Sequence, residues 1–232
     1  MALSIGILGG MGAAASADFY TRLVSLAQHR YGAEQDYDFP AMFLYNLPLV
    51  GFDETGFVDV EQVKKQLVAG VQKLEQAGSD FIVIPCNTVH YLYADMQQAV
   101  SVPILSIVEV VAQAVEKAGL RTVGLLGSES TKKYHLYESV FTKKEVATIT
   151  TTDAEQVEIN KIILKIISNS QTAKETQALL SIISRYATED VEGVVVGCTE
   201  LPIAITQKDT VLSLFDSTQL LAEETLRFAY GK

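Results

Sequence analysis

Eight short apolar runs rich in β-branched residues alternate with longer stretches of helical period, and this alternation restricts the chain to an α/β architecture with parallel strands covered by helices. The runs are SIGIL, AMFLYN, FIVIP, PILSI, TVGLLG, ATITT, GVVVG and VLSLF. Between them, 16–31, 59–77, 109–118, 154–168 and 173–187 repeat apolar residues three and four positions apart, the spacing of crossover helices. Gly78 and Gly119 follow two of these stretches, where a helix stops and the next strand begins within a few residues. A chain of 232 residues, 48% of them hydrophobic, has material for one large α/β unit or for two small lobes.

A second regularity points to two lobes. Residues 67–87 read helix, Gly, apolar strand and then Pro-Cys-Asn, while 179–200 read helix, acidic turn, Gly-Val-Val-Val strand and then Gly-Cys-Thr-Glu. Cys86 and Cys198 thus each close an apolar strand and open a polar segment, 112 positions apart. The expectation is an internal duplication. Residues 1–107 plus 210–232 form an N-terminal lobe carrying Cys86, and 108–209 form a C-terminal lobe carrying Cys198.

Charge narrows the partners. The formal net charge of −10 repels phosphate backbones, and the eighteen Lys and Arg are scattered along the chain, so nucleic acid is not expected. MALSIGILGG has no basic leader and passes at once into a Gly-rich turn, which reads as a first strand, and no apolar stretch of about twenty residues occurs to span a membrane. A cytoplasmic protein is expected, with reduced thiols.

Ligands of open α/β sheets bind beyond the carboxyl ends of the strands, where loops lead into helix N-termini. Five polar segments fall there: Gly10-Met11-Gly12, Asn46, Cys86-Asn87-Thr88, Ser128 to Thr131, and Cys198-Thr199-Glu200. Backbone N–H groups of the Gly-rich turn suit a carboxylate. A thiol at a helix start feels the positive end of the backbone dipoles, which is expected to lower its pKa, and two such thiols in one cleft make a base and an acid. Drawing a proton from an amino-acid α-carbon also needs donors on the carboxylate, and Asn87, Thr88, Ser128, Thr131 and Thr199 could supply them. His90 could support Cys86, and Glu200 could orient the second thiol or bind an ammonium.

Other chemistries fit less well. Gly10 to Ala15 matches the G-x-G-x-x-A dinucleotide pattern, but the following strand ends in Asn46 instead of the acidic residue that would hold a ribose. The three histidines, His29, His90 and His135, give no metal-ligand spacing, and no G-x-S-x-G elbow occurs. Two cysteines can also be no more than small buried hydrophobes.

Three segments, Gly9-Gly10-Met11-Gly12, Pro85-Cys86-Asn87-Thr88-Val89-His90 and Gly197-Cys198-Thr199-Glu200-Leu201-Pro202, resemble the signature segments of the aspartate/glutamate racemase family in order and spacing, across essentially the whole chain. The resemblance implies a pseudo-twofold pair of flavodoxin-like lobes, a site in the cleft between them, no cofactor and no metal, one cysteine from each lobe as the two bases, and a homodimer. Gly127-Ser128-Glu129-Ser130-Thr131 looks like the family's carboxylate loop. The implied activity is racemisation of a small acidic amino acid, aspartate or glutamate. Same-fold alternatives are maleate isomerisation or hydantoin racemisation, and from another class a non-catalytic small-anion binder or thiol redox sensor. Two departures bear on the substrate. Leu47 to Asp53 lacks the Arg that family members often place there for a side-chain carboxylate, and Ser168 stands near another basic position, with Lys165 one turn earlier as a substitute.

Overall fold

The computed structural model describes residues 2–53 and 56–231. In the first half β1 (Ile5–Gly9), α1 (Ala13–Tyr31) and β2 (Met42–Asn46) are followed by a small antiparallel ribbon, β3 (Phe52–Asp53) with β4 (Gly56–Phe57). Then come α2 (Val60–Gln76), β5 (Phe81–Val83), α3 (Tyr93–Gln98), β6 (Ile104–Leu105) and α4 (Ile107–Lys117). The second half runs β7 (Thr122–Gly127), α5 (Glu129–Lys133), α6 (Glu138–Lys143), β8 (Ala147–Ile149), α7 (Asp153–Ile167), α8 (Ala173–Ala187), β9 (Gly193–Gly197), β10 (Ser213–Asp216) and α9 (Ser217–Tyr230).

The strands form two four-stranded parallel sheets, β2-β1-β5-β6 and β8-β7-β9-β10. Counted within its own half, each sheet has the order second, first, third, fourth, which opens the flavodoxin-like order. The duplication read from the two cysteine segments is therefore a duplication of topology. β5 and β9 occupy the same place in their sheets, and a cysteine follows each.

Alternation along the strands separates three apolar layers. Ile5 and Ile7 of β1, Phe81 and Val83 of β5, Val123 and Leu125 of β7 and Val195 of β9 share one cluster with α1, α4, α6 and α9. Leu8 and Ile82 face the opposite way, onto α2 and α3, while Leu126, Val194 and Val196 face α7 and α8. Strands buried on both faces explain why these runs are almost wholly apolar.

The C-terminal part of the expected division needs correction. Residues 210–232 do not act as one piece of the first lobe, because β10 pairs with β9 as the fourth strand of the second sheet. Only α9 reaches back, packing along α1 and α4, and the Leu3 N–H donates to the Ala229 carbonyl at 2.9 Å. Conversely α4, which follows the first sheet, packs on α6 and β10. Each half ends in a helix that covers the other half. Among the described residues, no helix is long and apolar enough to cross a membrane.

Candidate active site

The turn after β1 is held by a side chain that the sequence did not single out. Ser16, in the first turn of α1, accepts from the Gly10 N–H at 3.0 Å and donates to the Gly12 carbonyl at 2.8 Å. Gly10 has φ +101° and lies so close to the Leu47 backbone that a Cβ would overlap it. Only glycine meets both demands.

Cys86 follows β5 and is buried. Its carbonyl meets His90 Nδ1 at 2.8 Å, while the Ile107 N–H points at His90 Nε2 at 3.2 Å. Since Nε2 accepts, the proton sits on Nδ1 and the ring is neutral. Burial, against the pull of the backbone groups of Cys86 and Leu105, pushes the His90 pKa down to about 4. His90 thus anchors the Cys86 backbone to the start of α4 and offers the thiol neither charge nor proton.

Asn87 and Thr88 tie the halves together. Asn87 Oδ1 accepts from Tyr137 at 2.5 Å and its Nδ2 donates to Ser217 Oγ at 3.1 Å, which leaves one amide N–H for a ligand. Thr88 Oγ1 lies 3.0 Å from Ser128 Oγ, which in turn lies 3.1 Å from Thr131 Oγ1 and accepts from the Thr131 N–H. Tyr137 and Ser217 carried no sequence signal, since each meets its partner across more than forty residues.

Cys198 follows β9 and donates through Sγ to Glu200 Oε2 at 3.1 Å. Thr199 Oγ1 donates to the same oxygen at 3.2 Å, and the Gly12 N–H also bonds Glu200. Burial raises the Glu200 pKa in spite of these donors. The thiols behave opposite to expectation. Burial, then the Glu200 charge, pushes Cys198 well above the ordinary thiol range, and burial pushes Cys86 up to about 12. N–H groups of Thr88 and Val89 do pull Cys86 down, as a helix start should, but loss of water outweighs them.

A cavity of about 310 Å³ collects these groups. Its lining includes Gly10, Met11, Gly12, Cys86, Asn87, Thr88, Ser128, Cys198, Thr199 and Glu200, from the carboxyl ends of strands in both sheets. Of the other expected residues, Thr131 stands behind Ser128, and Asn46 is exposed at the end of β2 beside Gly9. Lys165 is half exposed and pairs with Glu175. The walls that sequence reasoning missed are Ala13, Leu49, Phe52, Asp53, Ile163 and Ile167. Its size is at the small end of ligand pockets, roughly 300–1,000 Å³, and suits a single amino acid better than a nucleotide.

The family profile for Asp/Glu/Hydantoin racemase matches residues 8–225. The chain belongs to this family. Among its relatives is the broad specificity amino-acid racemase RacX of Bacillus subtilis (strain 168), 32% identical over 222 residues that cover 96% of both chains. Solved racemase-family structures superpose closely. An aspartate racemase homologue from Pyrococcus horikoshii OT3 gives a TM-score of 0.84 at 30% identity, covering 98% of this chain and 99% of its own. The Picrophilus torridus aspartate racemase gives 0.85 at 26% identity, covering 98% and 94%.

Proposed function

We propose that this racemase-family chain inverts the α-carbon of a free amino acid without a cofactor, with Cys86 and Cys198 as the two acid–base groups. The observation that carries the reading is that both thiols line one small cavity, each from the same position in its own sheet. One thiolate takes the α-proton and becomes a thiol, while the other thiol delivers its proton to the opposite face and becomes a thiolate. For the reverse enantiomer the roles exchange.

Burial poses the main obstacle. Burial, and the charge of Glu200, favour the protonated form of both thiols near neutral pH. A substrate ammonium placed at Glu200 neutralises the carboxylate that raises both thiols, and so favours the thiolate when substrate is present. The Asn87 amide and the hydroxyls of Thr88 and Ser128 are the donors for the α-carboxylate, whose charge grows as the proton leaves. Buried thiols of raised pKa also speak against the redox-sensor alternative, since sensors use accessible, low-pKa cysteines. On the family resemblance we further propose a homodimer, which analytical ultracentrifugation decides.

The test is incubation in D₂O with single enantiomers, following α-deuterium by NMR and inversion by chiral chromatography. Exchange with inversion supports the reading. Absence of exchange with every amino acid tried would refute it.

A further inference from the structure

Asn87 lines the cavity, yet an amide serves a carboxylate only through its N–H end. Its oxygen, turned to the same place, would repel the ligand. Whatever orients this amide is therefore part of the site. The amide oxygen accepts from the Tyr137 hydroxyl at 2.5 Å, and the nitrogen donates to Ser217 Oγ at 3.1 Å. Burial raises the Tyr137 pKa against the opposite pull of the Ser217 side chain, so the phenol keeps the proton that it donates.

Tyr137 has no room to move. It is wholly buried, its ring stacks on Phe141 at a centroid distance of 5.8 Å, and a Cβ on Gly197 would come within 2.8 Å of its Cε2. Gly197 directly precedes Cys198, and Asn87 directly follows Cys86. One side chain of the second half thus rests on one cysteine segment and holds the other through its hydroxyl. We propose that Tyr137 is a positioning residue for the reaction, which fixes the Asn87 amide so that its second N–H meets the substrate carboxylate. Tyr137 is not among the described residues that line the cavity, so it acts through Asn87 alone. A donor held in place beforehand contributes most where charge grows, and the carboxylate gains charge as the α-proton leaves. Its loss is therefore expected in kcat more than in KM.

This inference rests on the racemase reading, and the experiment separates the two. Single enantiomers of the common amino acids are screened for α-deuterium exchange in D₂O, and the one that wild type turns over fastest is the probe. For its racemisation kcat and KM are measured in wild type, Tyr137→Phe, Asn87→Ala and the double variant, with melting curves to verify folding. Tyr137→Phe keeps the ring on Gly197 and removes only the hydroxyl. It should lower kcat at least about tenfold and leave KM within about threefold, since misplacing a positioned group by about 1 Å costs up to about 10²-fold. In the Asn87→Ala background the same change should cost less than about threefold, because the group it acts through is gone. Phe141→Leu loosens the same packing but keeps the hydroxyl, and kcat should stay within about threefold. Should Tyr137→Phe fail to fold, Ser217→Ala, which removes the other partner of the amide, takes its place in the cycle with the same expectations. An unchanged kcat in Tyr137→Phe, an equal loss in both backgrounds, or a matching loss in Phe141→Leu overturns the inference and leaves the racemase standing. A wild-type protein that exchanges no amino acid overturns both.

Discussion

A carboxylate buried 3.1 Å from a thiol holds the proton on that sulfur, and Glu200 does so to Cys198 while its charge also raises Cys86. Replacing either cysteine by Ala should lower racemisation in both directions by at least about 10³-fold, because each turnover needs a base and an acid. A chiral assay checks this, and a single variant within about tenfold of wild type would show that the thiols are not the pair. Such a variant can still exchange deuterium into one enantiomer with retention, through the surviving thiol. Glu200→Gln separates electrostatics from catalysis. With the charge gone, Cys198 should be alkylated faster by iodoacetamide at neutral pH, while racemisation falls by about 10²-fold because the substrate ammonium loses its partner. The same change should stabilise the fold. The folded-state pKa of Glu200 lies above its ordinary 4.5, so the stability it contributes at low pH is lost as pH rises through the folded value, and a neutral Gln does not incur that loss. Melting temperatures of variant and wild type should therefore converge near pH 4.5 and separate, variant higher, at pH 7.5.

At the scale of elements, the β3–β4 ribbon shapes one wall of the cavity through Phe52 and Asp53. Phe57 fixes it, with ring centroids 5.6 Å from Tyr91 and 5.5 Å from Tyr134, which themselves stack at 4.3 Å. Gly56, at φ +125°, brings the ribbon against Ser130 of α5 with no room for a Cβ. Each aromatic pair is worth about 0.5–1.5 kcal/mol beyond its burial, so Phe57→Ala should loosen the ribbon, raise KM about tenfold and leave kcat within a few-fold. Steady-state kinetics with limited proteolysis at the ribbon would show it, and an unaltered KM would mean that the ribbon takes no part in binding. The sequence supports only a loop here, because two-residue strands are too short to show a period and Phe57 finds its partners far along the chain. By contrast all eight sheet strands were legible, the central β1, β5, β7 and β9 because strands buried on both faces must be apolar, and the outer four because they recur between crossover helices that show a stripe. The cysteine segments were legible for the same reason, lying at strand ends of a repeated pattern. The thiol pKa was not. A helix start is a local property, whereas burial of both thiols, and for Cys86 the charge of Glu200, come from tertiary structure.

At the scale of the whole molecule, the interleaved α4 and α9 make the halves mutually dependent. The central apolar cluster draws on both sheets and both helices, so neither half retains a closed core alone. Urea unfolding should show one cooperative transition, and Leu221→Ala, which removes a fully buried side chain of α9, should lower its free energy by about 2–5 kcal/mol. Two resolved transitions would contradict the shared core. The repeat also fails at an informative point. Aligning Cys86 with Cys198 sets Thr88 against Glu200, so one of the two matched positions carries an acid and the other an alcohol. For a racemase the equilibrium constant between enantiomers is one, and the Haldane relation then forces kcat/KM to be equal for the L and D forms whatever the site looks like. The unequal neighbours of the two sulfurs can express themselves only in kcat and KM separately, each differing between enantiomers by a common factor: the mirror-image products are bound unequally by a site that cannot prefer making either one.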